Sequence, residues 1–224
     1  MTAPLVLLHG FTQTGRSWQP VRDHLQLDPP REVLSPDQRG HGDAAEARPI
    51  LLPAMAADAM GQATGELALA GYSMGGRAAL LAAIASPGRV SHLALISTTA
   101  GIEDDAERAE RAAADAALAD RIEGQSIDEV ADVWGSQPLF SGQAPAVAAQ
   151  AREDRLRNTP AGLAASLRGA GTGRMGNLWG ALGALTMPAL VLVGERDAKF
   201  RAIGERLAAA LPDAELVVVP GAGH

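Results

Sequence analysis

Six short apolar runs, at residues 5–8, 33–35, 67–70, 93–96, 189–193 and 216–219, punctuate this chain and constrain its fold more than any other feature. Most are continuous rather than alternating, as in Ala189-Leu190-Val191-Leu192-Val193, so both faces of each strand need cover. Strands of that kind, separated by helical segments, predict an α/β architecture: a mostly parallel, doubly wound sheet with helices on both faces. With 224 residues and 47% hydrophobic content, the chain can bury one substantial core, and a single domain is expected.

The alternation breaks between the fourth and fifth runs. From residue 101 to 186 the sequence is rich in charge and reads as helices at 106–122, 127–134, 144–157 and 162–168, with no strand run among them. Helices inserted between late strands, at the end of a sheet where loops carry function, predict a cap over a pocket. The expected organisation is therefore a core of residues 1–100 and 187–224, with residues 101–186 as the cap.

Composition removes several function classes. A net charge of −7 argues against a nucleic-acid binder, whose phosphate contacts need a basic surface. The chain has no cysteine, so disulfide frameworks and thiolate metal sites are excluded, and no metal or cofactor is called for. No apolar run approaches the roughly 20 residues needed to cross a bilayer. Met1-Thr2-Ala3-Pro4 lacks a basic region followed by a long hydrophobic segment, so a soluble cytoplasmic protein is expected. Oligomeric state is not legible.

The third apolar run leads into Gly71-Tyr72-Ser73-Met74-Gly75, and a helix-forming stretch, Arg77-Ala78-Ala79-Leu80-Leu81-Ala82, follows. A G-x-S-x-G sequence between strand and helix is the signature of a sharp turn that exposes the serine, which makes Ser73 the candidate catalytic residue. A serine hydroxyl is weak at its free pKa; it needs an imidazole, and the imidazole needs a carboxylate to fix its tautomer. In folds built on this elbow the order is serine, acid, histidine. Only His92 and His224 follow Ser73. His92 stands at the start of an apolar run and is expected to face solvent or a strand edge. His224 follows the turn Pro220-Gly221-Ala222-Gly223 after the last strand, where a loop can bring it over the elbow. Asp197, directly after the fifth run, is the matching acid; its rival Asp213 sits in a Pro-Asp turn that it serves itself.

Negative charge developing at such a site needs backbone donors. The glycine turn Leu8-His9-Gly10-Phe11 after the first strand makes the amides of Phe11 and Met74 the candidate oxyanion pair, while His9 and His41 are expected to shape the loops. Arg77 is placed oddly: a cation in the first turn of a helix opposes the helix dipole at a cost of about 0.3–1 kcal/mol. An anionic partner offsets that cost, either a protein carboxylate or the carboxylate of a substrate.

Several segments together resemble one family, the 2-succinyl-6-hydroxy-2,4-cyclohexadiene-1-carboxylate synthases (MenH) of the α/β-hydrolase fold. They are Leu8-His9-Gly10-Phe11-Thr12, the elbow continued through Gly76-Arg77, Ala109-Glu110-Arg111, Trp134-Gly135-Ser136-Gln137-Pro138-Leu139-Phe140, Arg157-Asn158 with Gly162-Leu163-Ala164, Leu167-Arg168-Gly169-Ala170-Gly171-Thr172-Gly173, and Gly194-Glu195-Arg196-Asp197-Ala198-Lys199-Phe200. The first segment and the elbow mark the fold; the cap segments and the Arg-Asp-x-Lys-Phe stretch are more specific. The resemblance implies a cofactor-free lyase of menaquinone biosynthesis that eliminates pyruvate from a small polycarboxylate, with Ser73, His224 and Asp197 removing a proton. It also implies substrate-carboxylate contacts from Arg77, Arg111 and Arg157, with Tyr72 and Trp134 lining the pocket. Guanidinium groups suit this, since they grip carboxylates in bidentate geometry. The sequence departs from the family at Arg174-Met175, where relatives often carry glutamines, and relatives continue beyond the position of His224.

Two other functions share this scaffold. One is a carboxylesterase or thioesterase with Ser73 as a true nucleophile, which an apolar rather than arginine-lined pocket favours. The other is a non-catalytic ligand-binding member of the fold, which a complete serine-acid-histidine set disfavours.

Overall fold

The computed structural model of the chain describes residues 2–224. Six strands, β1 (Leu5–Leu8), β2 (Val33–Leu34), β3 (Leu67–Tyr72), β4 (Val90–Ile96), β5 (Ala189–Gly194) and β6 (Ala214–Val219), form one sheet in the order β2-β1-β3-β4-β5-β6. All pairings are parallel. Each strand lies on one of the six apolar runs.

Eight α-helices accompany the strands: α1 (Gln19–His24), α2 (Leu52–Gly61), α3 (Met74–Ala85), α4 (Asp105–Glu123), α5 (Ile127–Gly135), α6 (Pro145–Arg155), α7 (Pro160–Ala170) and α8 (Ala198–Ala210). The period of two along each strand sends alternate side chains to opposite faces. On one face Val6, Leu8, Leu67, Leu69, Leu93, Leu95 and Val191 are buried with Met55 and Ala59 of α2 and with Ala78, Ala79 and Ala82 of α3. On the other, Leu7 and Ala70 pack with Trp18. Each large apolar side chain fully buried this way stabilises the fold by about 1.5–3 kcal/mol.

Four helices, α4 to α7, stand between β4 and β5 with no strand among them. Their starts are written locally: Asp104 accepts the Glu107 amide at 2.8 Å, Ser126 and Glu129 form a capping box, and Thr159 accepts the Gly162 amide at 3.0 Å. They share a small core of Ala119, Ile122, Val130, Leu163, Ala164 and Leu167. Arg168 of α7 pairs with Asp120 and Glu123 of α4, and Arg152 of α6 pairs with Asp128 and Asp132 of α5. Much of the positive charge in this segment is thus held by its own carboxylates.

Polar contacts fix these helices to the loop after β1. Buried Asp154 accepts the Thr14 amide at 2.9 Å and the Thr14 hydroxyl at 2.5 Å, and Asn158 donates to the Thr12 carbonyl at 2.8 Å while accepting the Gly42 amide at 3.1 Å. The chain leaves β1 to one side for β2 and returns on the other for β3. The crevice for a ligand in such a sheet lies at that switch, beyond the carboxyl ends of β1 and β3. Among the described residues no helix is long and apolar enough to cross a membrane.

Candidate active site

Ser73 occupies the turn between β3 and α3 with φ 51° and ψ −108°, a conformation that L-residues rarely adopt. Two close approaches enforce the turn. A Cβ on Gly71 would lie 2.3 Å from the Gly75 carbonyl oxygen, and one on Gly75 would lie 2.1 Å from that of Leu8, so both positions need glycine. The Ser73 backbone is pinned on both sides: its amide donates to the Ile96 carbonyl at 2.9 Å and its carbonyl accepts the Thr98 hydroxyl at 2.7 Å.

His224 reaches this turn from the far end of the chain. Its Nε2 lies 3.2 Å from Ser73 Oγ, and its Nδ1 lies 2.7 Å from Asp197 Oδ2. An ionised carboxylate only accepts, so Nδ1 carries the proton and Nε2 is free to accept from the serine hydroxyl. The turn that carries His224 is stitched to the β5–α8 turn: the Arg196 amide donates to the Ala222 carbonyl at 2.9 Å and the Gly221 amide to Glu195 Oε2 at 2.7 Å. Burial lowers the pKa of His224 below its ordinary value of 6.5, against the opposing pull of Asp197. The imidazole is therefore neutral at pH 7, as a proton acceptor must be. Asp213, by contrast, precedes β6 at the opposite end of the sheet, and His92 is exposed on β4.

The amide of Met74 opens α3 and that of Phe11 follows the β1 turn. Among the described residues neither has a protein acceptor, and both residues line the cavity above Ser73. His9 and His41 act as loop supports. His9 Nδ1 donates to the Gly10 carbonyl at 2.8 Å and Nε2 accepts the Gln38 amide at 2.9 Å, which fixes a neutral tautomer; burial lowers its pKa. Burial, with His9 beside it, brings His41 down to about 3. His41 meets the edge of Phe11, which in turn meets Trp134 at 4.9 Å between ring centroids.

The cavity, of about 820 Å³, lies between the sheet's carboxyl end and α4, α5 and α7, with Ser73, Phe11, Met74, Trp134 and His224 in its wall. Arg77 and Arg111 also line it. Arg77 is 7% exposed and makes no ion pair among the described residues; its Nη1 donates to the Ala170 carbonyl at 2.6 Å. Burial, aided by Arg111 and opposed by Asp115, brings its pKa down to about 10, so it keeps its charge at neutral pH. Arg111 is held by buried Asp115 at 2.8 Å. Glu103, Asp104 and Glu107 line the cavity as well, so its wall carries both signs of charge, with Arg77 the buried cation that no carboxylate pairs among the described residues.

Tyr72 and Arg157 do not line this cavity. They line an adjoining one of about 660 Å³ that also reaches His224. The reason for Arg157 is local: α6 ends at Arg155, two residues earlier than the 144–157 reading, and the turn that follows redirects the chain. Arg155, which the sequence analysis does not single out, is 4% exposed and lies 5.2 Å from the Phe140 ring centroid. The inner face of α6 consists of Asp154 and Arg155 rather than apolar residues, so hydrophobic periodicity carried no signal for it. Of the departures from the family pattern, Arg174 is exposed and Met175 is buried.

A profile of the alpha/beta hydrolase family matches residues 5–224. A 2-succinyl-6-hydroxy-2,4-cyclohexadiene-1-carboxylate synthase of Salmonella newport (strain SL254) is 33% identical, over 100% of this chain and 87% of its own length. A Bacillus subtilis (strain 168) protein provisionally given the same name is 37% identical, over 98% of this chain and 83% of its own. Among solved structures, MenH from S. aureus superposes with a TM-score of 0.88 at 31% identity, covering 99% of this chain and 86% of that one. A thermophilic esterase from Thermogutta terrifontis, solved with malate bound, gives 0.82 at 28% identity over 100% of this chain and 83% of that one. The chain belongs to the alpha/beta hydrolase family and, within it, to the 2-succinyl-6-hydroxy-2,4-cyclohexadiene-1-carboxylate synthases.

Proposed function

We propose that this protein eliminates pyruvate from 2-succinyl-5-enolpyruvyl-6-hydroxy-3-cyclohexene-1-carboxylate to give 2-succinyl-6-hydroxy-2,4-cyclohexadiene-1-carboxylate in menaquinone biosynthesis, and that Ser73, His224 and Asp197 transfer the proton. The observation that carries the reading is the 3.2 Å and 2.7 Å chain from Ser73 through His224 to Asp197, set in a cavity whose buried Arg77 has no carboxylate partner among the described residues.

The formulae define the bond changes. The proton leaves ring carbon 2, which is acidified by the adjoining succinyl carbonyl. Its electron pair forms the 2,3 double bond, the 3,4 double bond moves to 4,5, and the carbon–oxygen bond at position 5 breaks. The departing oxygen takes the electron pair and a proton, and the released enol becomes pyruvate. His224 Nε2 draws the hydroxyl proton of Ser73 as Ser73 Oγ takes the ring proton, so no acyl-enzyme forms; Asp197 stabilises the resulting imidazolium. Charge moving onto the succinyl carbonyl is met by the amides of Phe11 and Met74. Arg77 and Arg111 hold substrate carboxylates, and Trp134 closes the wall.

The test is an assay of pyruvate release from the enolpyruvyl substrate beside a panel of aryl and thioester substrates. The lyase reading requires pyruvate release to exceed ester cleavage by orders of magnitude. The reverse order makes Ser73 a nucleophile and the protein an esterase.

A further inference from the structure

Four cations and three carboxylates, Glu103, Asp104 and Glu107, line the Ser73 cavity, and the scheme above uses two of the cations. Arg111 is paired with Asp115, and Arg206 is paired with Glu103 at 2.5 Å while lying 3.8 Å from the Trp179 ring centroid. Arg77 and Lys199 differ from these. Among the described residues neither has a carboxylate within ion-pair distance, although acidic residues are plentiful in the chain.

Lys199 is exposed where Arg77 is buried, but it too stands in the first turn of a helix, α8, whose N-cap is Asp197. It is the second residue of α8, whose first turn holds no acidic side chain, so its charge opposes the positive end of that helix dipole. It stands two residues after Asp197, its ammonium 5.8 Å from the Phe200 centroid, and the Phe200 ring lies 4.4 Å from that of His224. The cavity therefore offers cations on two sides, Arg77 and Arg111 on α3 and α4, and Lys199 on α8 beside the imidazole, while its carboxylates Glu103, Asp104 and Glu107 cluster at the start of α4.

We propose that Lys199 binds a carboxylate of the substrate on the α8 wall, so that a tricarboxylate is gripped from two sides with its reacting ring carbon held over Ser73. This rests on the lyase reading and adds a residue to it. The chemistry fits the ligand: the succinyl, ring and enolpyruvyl groups each carry one carboxylate, and a single guanidinium wall leaves at least one without a counter-charge. A lysine suits a carboxylate that must depart with the product, because a flexible point charge holds an anion less rigidly than a guanidinium fork.

The experiment combines turnover and binding. Lys199→Met is expected to raise KM for pyruvate release about tenfold with kcat within about threefold, and Lys199→Arg to restore most of the loss. Benzene-1,2,4-tricarboxylate, titrated calorimetrically into wild type and variants, should bind Lys199→Met about tenfold more weakly. Unchanged KM and Kd in Lys199→Met overturn the proposal, as does a fall in kcat alone, which would mark an effect on His224 rather than a substrate contact. Wild-type binding that depends on Lys199 without any pyruvate release would instead refute the lyase reading and leave the carboxylate site standing.

Discussion

Asp197 gives one carboxylate oxygen to His224 Nδ1 at 2.7 Å and the other to the Phe200 amide at 3.1 Å, so the start of α8 orients the acid that orients the imidazole. This double use separates two effects. Asn caps a helix as well as Asp does, but its amide group turned toward Nδ1 favours the wrong imidazole tautomer. Asp197→Asn is expected to keep its stability and lose about 10⁴-fold in kcat. Asp197→Ala should lose as much activity and, in addition, about 1 kcal/mol in urea unfolding.

Arg77 is buried with its charge intact and only a carbonyl for a partner, so under the proposed function the substrate is expected to supply its counter-ion. Arg77→Met should weaken pyruvate-release KM by the worth of a charged hydrogen bond, about 1.5–3 kcal/mol, or roughly ten- to a hundredfold. Any cleavage of simple aryl esters by the same variant should stay within about threefold of wild type. Equal losses on both substrates would make Arg77 a support for the elbow rather than a substrate contact.

Under the proposed function the protonation of His224 is expected to set the acid side of the pH profile. Burial holds its pKa below 6.5, with Lys199 acting in the same direction and Asp197 in the opposite one. The neutral imidazole is the competent form, so activity is present at pH 7 and lost only as pH falls through that lowered pKa. A kcat/KM profile is expected to show its acidic limb below pH 6.5; a limb at 7 or above would contradict the buried geometry.

The sheet was legible in the sequence because buried parallel strands are continuous apolar runs, and 5–8 or 189–193 can be little else. The elbow was legible because Gly71 and Gly75 serve backbone contacts that no other residue allows. The partners Asp197 and His224 followed from chain order. The face of α6 was hidden, since Asp154 and Arg155 point inward where periodicity looks for apolar residues, and the reading of the helix to 157 overran its true end. The partner of Arg77 was hidden too: a backbone carbonyl at Ala170, 93 residues away, leaves no trace in side-chain identity.

The contact between Asp154 and Thr14 anchors α6 to the loop that carries Phe11. Thr14 is fully buried, so Asp154→Ala leaves its amide and hydroxyl without partners, at a cost of about 1–3 kcal/mol in urea unfolding. Amide exchange in α6 should accelerate in the same variant. Unchanged protection there would mean that the small apolar core of α4, α5 and α7 holds α6 without this anchor.

The central claim, proton abstraction through Ser73 rather than attack by it, meets its most direct test in pyruvate release by wild type and Ser73→Ala. Wild type should release pyruvate with no burst and no acyl-enzyme by mass spectrometry, and Ser73→Ala should be slower by at least about 10³-fold, the scale on which a unit of interdependent groups fails when one is removed. Wild-type turnover by Ser73→Ala, or an acylated Ser73 on the reaction path, would contradict it.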